Sequence, residues 1–234
     1  IRVAALNSLH KKKLNGLVPI MKKIAVENNA VALAALKVLI KSDSSFALGA
    51  LGKMTHHQDS KIVQEAIKLL GTLKNSAVTK IVEENLMRLE QNQFPKGAYL
   101  ELFNLAESNG LSAKISAFRA QQKVAPTLTQ YIECFTGGDV VKGEELFKAH
   151  PIAQCFRCHK VNNEGGDVGP DLSIIGKQHE NHILESIVAP GAIVAPGYGM
   201  ITVTKKDDSI VAGLFLKDNG KVLHIKVGDK IQKV

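Results

Sequence analysis

Tryptophan is absent from this sequence, aromatic residues make up only 5% of it, and no apolar stretch runs far before Lys, Glu or Gly interrupts it. A membrane-spanning helix needs about 20 apolar residues in succession, so none is expected. The three cysteines, Cys134, Cys155 and Cys158, are too few and too odd in number for a disulfide framework. The first residues, Ile1-Arg2-Val3, carry neither an initiator Met nor a charged-then-apolar leader, so the chain reads as a processed product or a fragment. The formal charge of +8 is uneven: residues 1–125 hold 18 basic against 9 acidic side chains, and residues 126–234 hold 12 against 13. Nucleic-acid binding would join such charge to stacking aromatics or a recognisable motif. With aromatics so sparse, the excess Lys is assigned to solvated helix faces and no nucleic-acid partner is expected.

What is present is enough to bury a core. A folded chain of 234 residues removes roughly 70% of its extended surface from water, room for two modest domains. Up to about Gln122, Ala, Leu, Lys and Glu alternate with apolar residues at three- and four-residue spacing, which predicts amphipathic helices. Ala4-Ala5-Leu6-Asn7-Ser8-Leu9, Ala34-Ala35-Leu36-Lys37-Val38-Leu39 and Glu65-Ala66-Ile67-Lys68-Leu69-Leu70 align at offsets of 30 and 31 residues, a solenoid period. In such a stack each unit buries its apolar face only against its neighbours. Residues 1–123 therefore resemble short HEAT-like repeats. Later helices are expected over 76–90, 97–108 and 112–122, with His56 and His57 in an inter-helix loop and without a metal role. Pro126, a Thr-rich stretch and Gly137-Gly138 mark residues 124–137 as a linker. Within it, Cys134 is read as a buried small hydrophobe.

Chemistry concentrates in Cys155-Phe156-Arg157-Cys158-His159. Cys-x-x-Cys-His is the attachment sequence for c-type haem: two thiols three residues apart can form thioethers with two vinyl groups, while the next imidazole reaches the iron. Half a zinc site or a redox dithiol would also use a Cys pair. A zinc site would lack its second pair here, and a redox dithiol would want a preceding strand and parallel sheet that the pattern does not offer.

The flanks add a resemblance. Gly138-Asp139-Val140-Val141-Lys142-Gly143-Glu144-Glu145-Leu146-Phe147 looks like the first helix of class I cytochromes c, with Asp139 as its N-cap. The resemblance implies that Gly143 permits close helix crossing and that Phe147 packs beside the haem. Gly169-Pro170-Asp171-Leu172 resembles the loop whose proline carbonyl accepts a hydrogen bond from the proximal imidazole, here His159. More narrowly, that loop, Leu184-Glu185-Ser186-Ile187-Val188-Ala189-Pro190 and Ile193-Val194-Ala195-Pro196-Gly197-Tyr198 are similar to a C-terminal haem-binding domain. That domain ends large planctomycete, verrucomicrobial and Bacteroidetes proteins, where it follows a propeller of the sugar or sorbosone dehydrogenase type and HEAT-like helices. The propeller would have to lie before Ile1.

Met200, 41 residues after His159, is the expected distal ligand, the alternative being an ordinary apolar residue at the start of a strand, and His179 and His182 are rival ligands. Related domains end with a Met-Pro segment and a final helix, neither of which stands in this sequence, so a ligand beyond Val234 is a further alternative. Tyr198 is expected to line the haem pocket or meet a propionate, or else simply to pack. After Met200 the alternation over 201–204, 209–216 and 221–227 predicts three β-strands, joined by turns at Asp207-Asp208 and Asp218-Asn219-Gly220.

The expected architecture is thus mainly α: HEAT-like helices (1–123), a linker (124–137), a cytochrome c-like haem domain (138–200) and a small antiparallel β extension (201–234). The resemblance implies one covalent haem c held by Cys155 and Cys158, with iron ligands His159 and Met200 and with Phe147, Pro170 and Tyr198 around the ring. A haem with two protein ligands has no open position for substrate, so the expected role is electron transfer rather than catalysis by this chain itself. Electrons would pass from a dehydrogenase domain or subunit to a cytochrome or oxidase, at a periplasmic or outer-surface location. An interaction scaffold with a structural or gas-sensing haem is the alternative.

Overall fold

The computed structural model describes residues 15–234 apart from Asn28, Pro196 and Asp229, so the first repeat copy, Ala4 to Leu9, lies outside the described residues. The chain forms two compact units that divide between Gly138 and Asp139. The first is helical, and the second combines short helices with small antiparallel sheets.

In the first unit the helices are α1 (Val18–Ala25), α2 (Ala30–Ser42), α3 (Ser44–Met54), α4 (Ser60–Leu70), α5 (Ala77–Glu90), α6 (Tyr99–Ser108) and α7 (Ser112–Ala120). Short polar side chains start several of them by accepting backbone N–H groups that the first turn leaves unpaired. Asn29 accepts from Val31 and Ala32, Asp43 from Phe46, and Asp59 from Lys61. Helix α4 shows how the pattern acts: Ile62, Val63, Ala66, Ile67, Leu69 and Leu70 are buried, while Lys61, Glu65 and Lys68 stay in water. Each fully buried Leu or Ile contributes about 1.5–3 kcal/mol.

Besides packing on chain neighbours, α4 packs on α2 and on α6, so alternate helices form a row. The two aligned copies that are described fall on that row. Ala35, Leu36 and Leu39 of α2 are buried, as are their counterparts Ala66, Ile67 and Leu70 of α4, while buried Ala34 aligns with the exposed Glu65. Polar contacts repeat with the same spacing: Asn85 Nδ2 donates to Thr55 Oγ1 (3.1 Å) and Thr79 Oγ1 to Asn109 Oδ1 (3.0 Å), each pair 30 residues apart. The predicted helices over 76–90, 97–108 and 112–122 correspond to α5, α6 and α7, each shorter by one or two residues at an end. His56 and His57 lie in the α3–α4 loop, where His56 Nε2 is 3.1 Å from Glu84 and His57 Nδ1 accepts from Asp59 N at 2.9 Å.

The segment read as a linker is instead part of this unit. Pro126–Phe135 forms a 3₁₀ helix with a kink at Tyr131, and its Leu128 and Ile132 are buried. Arg119 of α7 bonds the buried Glu133. Proline and threonine marked a change of backbone, but the apolar Leu128 and Ile132 had a face to cover. Cys134 is exposed rather than buried, although Ile132 and Glu133 just before it are buried.

The second unit holds α8 (Val140–Ala149), the single turn α9 (Cys155–Cys158), the hairpin β1 (Lys160–Val161) and β2 (Glu164–Gly165), and α10 (Glu180–Val188). A sheet of β3 (Met200–Thr204), β4 (Ile210–Asp218), β5 (Leu223–Val227) and β6 (Lys230–Lys233) follows, antiparallel throughout and ordered as in the chain. Three of these strands match the predicted ones to within two residues at most ends. The fourth, Lys-Ile-Gln-Lys, was too short and polar to signal itself. The β1–β2 hairpin also went unforeseen, although Asn162-Asn163 between Val161 and Glu164 carries the signal: both residues have positive φ (51° and 66°), as a primed two-residue turn requires.

Candidate functional site

Helix α8 begins where Asp139 Oδ1 accepts from Val141 N (3.0 Å) and Lys142 N (3.1 Å), the N-cap expected from the sequence. It brings Phe147 against Phe156 of α9, edge to face, with ring centroids 6.0 Å apart. The chain then turns through Gln154, whose φ of +45° is left-handed, into α9. Cys155 and Cys158 lie one helical turn apart, so both thiols project from one side of that turn. Neither is in a disulfide. His159 leaves the turn in an extended conformation (φ −105°, ψ 142°), which carries its ring away from the helix axis.

The segment after β2 folds back over this turn. Gly166 N donates to Phe156 O (3.0 Å) and Gly169 N to Cys158 O (2.8 Å). The approach depends on missing side chains: a Cβ on Gly166 would stand 2.0 Å from Arg157 O, and one on Gly169 would stand 2.7 Å from His159 Cε1. Beyond Gly169 the chain presents Pro170 O to His159 Nδ1 at 2.9 Å. With Nδ1–H as the donor, Nε2 is the nitrogen left to bind elsewhere. Leu172 N then donates to Lys160 O (2.8 Å), and Ser173 Oγ accepts from Asn162 N (2.8 Å). Both the hydroxyl and the N–H of Ser173 bond Asp171, holding its carboxyl below the ordinary carboxylate range.

His159 and Pro170 open on a cavity of about 580 Å³, within the usual span for small-molecule and cofactor sites. Its apolar wall includes Val168, Leu172, Ile175, Ile193 and Val194, and Tyr198 and His182 also line it. His182 sits in the first turn of α10, while His179 caps that helix through Nδ1 and is engaged by Asn181 N (3.2 Å). The sequence-predicted residues therefore divide. His159, Pro170 and Tyr198 share the cavity, with Cys155 and Cys158 on the turn leading into it and Phe147 packed behind that turn. Met200 does not join them: it begins β3, pairs with Leu214, is 72% exposed and is not part of the cavity lining. The Asp171–Ser173–Asn162 contacts escaped the sequence reading, since the tie from Ser173 to Asn162 joins residues eleven apart and leaves no periodicity.

Among the described residues, no group of three or more His, Cys, Asp or Glu side chains converges as ligands to a single ion. Nor, among them, is any helix long and apolar enough to cross a membrane. No family model, curated protein or solved structure matches the chain.

A second property of this unit bears on its chemistry. Among the described residues from Asp139 onward, only Gly213 and Ile225 are buried. Val140, Ile152, Val168, Ile174 and Ile187 are each more than 60% exposed. An apolar fold of this size ordinarily closes around a core, and this one lacks most of it.

Proposed function

We propose that residues 139–234 carry one covalently attached c-type haem and relay single electrons. In this reading Cys155 and Cys158 hold the porphyrin edge through thioethers, and His159 Nε2 is the proximal iron ligand. Pro170 orients the imidazole, Tyr198 lines the pocket, and Phe147 backs the attachment turn. When bound, the haem supplies a one-electron couple whose potential the surrounding protein sets.

The observation that carries the reading is the 2.9 Å contact between His159 Nδ1 and Pro170 O beside an apolar cavity. A metal-ligating histidine regularly donates its second ring N–H to a carbonyl or carboxylate, which fixes the tautomer and raises the basicity of the ligating nitrogen. Two further features support the reading. The two thiols and the imidazole do not gather at one point, as a zinc site would need and a haem attachment would not. Among the described residues of the unit only Gly213 and Ile225 are buried, a deficit that a buried macrocycle would make good.

The helices of the first unit then act as HEAT-like repeats, a docking scaffold for redox partners. The alternate-helix row and the 30-residue polar contacts support that assignment. The donor is a dehydrogenase domain or subunit, the acceptor another cytochrome or an oxidase, and the location the periplasm or outer surface, where haem is attached to this motif.

Intact mass and the absorption spectrum of the reduced protein test the proposal together. A mass increment of one haem with sharp reduced-state bands is expected; colourless protein at polypeptide mass overturns it. A reduced spectrum that responds to carbon monoxide would favour a gas-sensing role over electron transfer.

A further inference from the structure

The haem reading leaves open what keeps the Pro170 carbonyl on His159. Proline has no N–H with which to anchor its own peptide. Its neighbours are tied instead, Gly169 N to Cys158 O and Leu172 N to Lys160 O, both at 2.8 Å. These backbone bonds bracket Pro170 between the residues flanking His159, and any sequence of compatible shape could make them. The contacts that depend on particular side chains come next. Ser173 Oγ donates to Asp171 Oδ1 (2.5 Å) and accepts from Asn162 N (2.8 Å), while Ser173 N donates to the same Asp171 oxygen (2.8 Å).

Resting on that haem reading, we propose that Asp171 and Ser173 are positioning residues that set the strength of the His159–Pro170 hydrogen bond and thereby the potential of the iron. The carbonyl oxygen that His159 meets belongs to the peptide joining Pro170 to Asp171, so turning Asp171 turns that oxygen. Asp171 is held by Ser173, and Ser173 is held by the β1–β2 turn at Asn162, three residues after His159. The chain of contacts closes a ring that begins and ends at the proximal imidazole. A firm acceptor draws the Nδ1 proton towards itself, makes Nε2 a stronger donor to iron and favours the oxidised state. Loosening the ring weakens that effect and raises the potential.

Two substitutions separate positioning from simple charge. Asp171→Asn removes a negative charge near the iron, which would raise the potential by Coulomb's law even without any change in geometry. Ser173→Ala removes only the hydroxyl and leaves the charge in place. The experiment measures intact mass, midpoint potential and the solvent-exchange rate of the His159 ring N–H in the full chain carrying its haem. Ser173→Ala is expected to keep the haem, raise the potential and speed ring N–H exchange about fivefold, the factor one modest hydrogen bond is worth. Ser173→Thr, which keeps a hydroxyl, is expected to restore both values.

Unchanged potential and exchange in haem-bearing Ser173→Ala overturn the proposal, as does a potential that moves in Asp171→Asn alone. Wild-type protein without covalent haem overturns the electron-transfer reading as well, and the mass reports that case separately.

Discussion

Arg119 on α7 reaches the carboxylate of Glu133, a residue only 7% exposed on the 3₁₀ segment that follows. The same guanidinium lies 3.7 Å from Glu107 and over the ring of Phe103 at 5.3 Å. A charge pair this deep is costly to break because the survivor stays buried without its partner. Arg119→Ala, which leaves the buried Glu133 without its cation, is therefore expected to lower the stability of the helical unit by about 3 kcal/mol. Chemical denaturation of the full chain checks this; a change below about 0.5 kcal/mol would mean that residues 126–135 are a dispensable linker after all.

Gly169 gives a sharper handle on the candidate site. A methyl group there would stand 2.7 Å from His159 Cε1 and 2.9 Å from Nδ1, with the ring itself as the obstacle. Gly169→Ala is expected to displace the imidazole and, if the proposed haem is bound, to shift its absorption spectrum while the attached mass is unchanged. Gly176→Ala, at a position with open space around it, serves as the control and should leave the spectrum unchanged.

Met200 and His182 make opposite demands on the distal side. Because Met200 is 72% exposed in β3 and His182 lines the cavity with His159, Met200→Ala is expected to leave the reduced spectrum and potential unaltered. Loss of a thioether–iron band in Met200→Ala would assign the ligand to Met200 and require β3 to move. His182→Ala is the companion measurement.

On the proposed attachment, replacing Cys155 and Cys158 by Ser would leave the porphyrin without its thioethers. With only Gly213 and Ile225 buried among the described residues of 139–234, that unit is expected to lose protease resistance while the helical unit keeps its own. Limited proteolysis followed by mass spectrometry would show cleavage confined to the second unit. Equal resistance in the two proteins would mean that the haem adds little to the fold.

Asp43 caps α3 and contacts Lys22 of α1 at 2.5 Å, and the Lys22 hydrogen bond holds its carboxyl below the ordinary value. A folded-state pKa lowered in this way contributes stability above the unfolded value and loses it as pH falls through the folded one. The helical unit should therefore weaken as pH drops below the normal carboxylate range, and Asp43→Asn should flatten that part of the curve. Thermal midpoints measured from neutral to strongly acidic pH decide it; parallel curves would remove Asp43 from the account.

The helical half was legible from its periodicity because burial there follows 3.6-residue spacing, and Asn29, Asp43 and Asp59 announce helix starts. The contact of His159 with Pro170 was legible because the resemblance of the Gly169-Pro170-Asp171-Leu172 loop implies it, and the structure places Pro170 O 2.9 Å from His159 Nδ1. The anchoring of residues 126–135 was not, since Arg119 and Glu133 are 14 residues apart and a buried ion pair leaves no pattern in composition. Met200 is the one thioether after the attachment motif, and the structure puts it at the start of β3, paired with Leu214. Side-chain ties such as Ser173 to Asn162 depend on the turn that brings them together.

The outer strand β6 has all four residues exposed, and lysines stand at both of its ends. An outermost strand with an open row of amides invites another molecule to add itself edge to edge. Lys230 and Lys233 place like charges where such a second strand would lie, so two copies meeting there would repel. Neutralising both is expected to increase aggregation at high concentration.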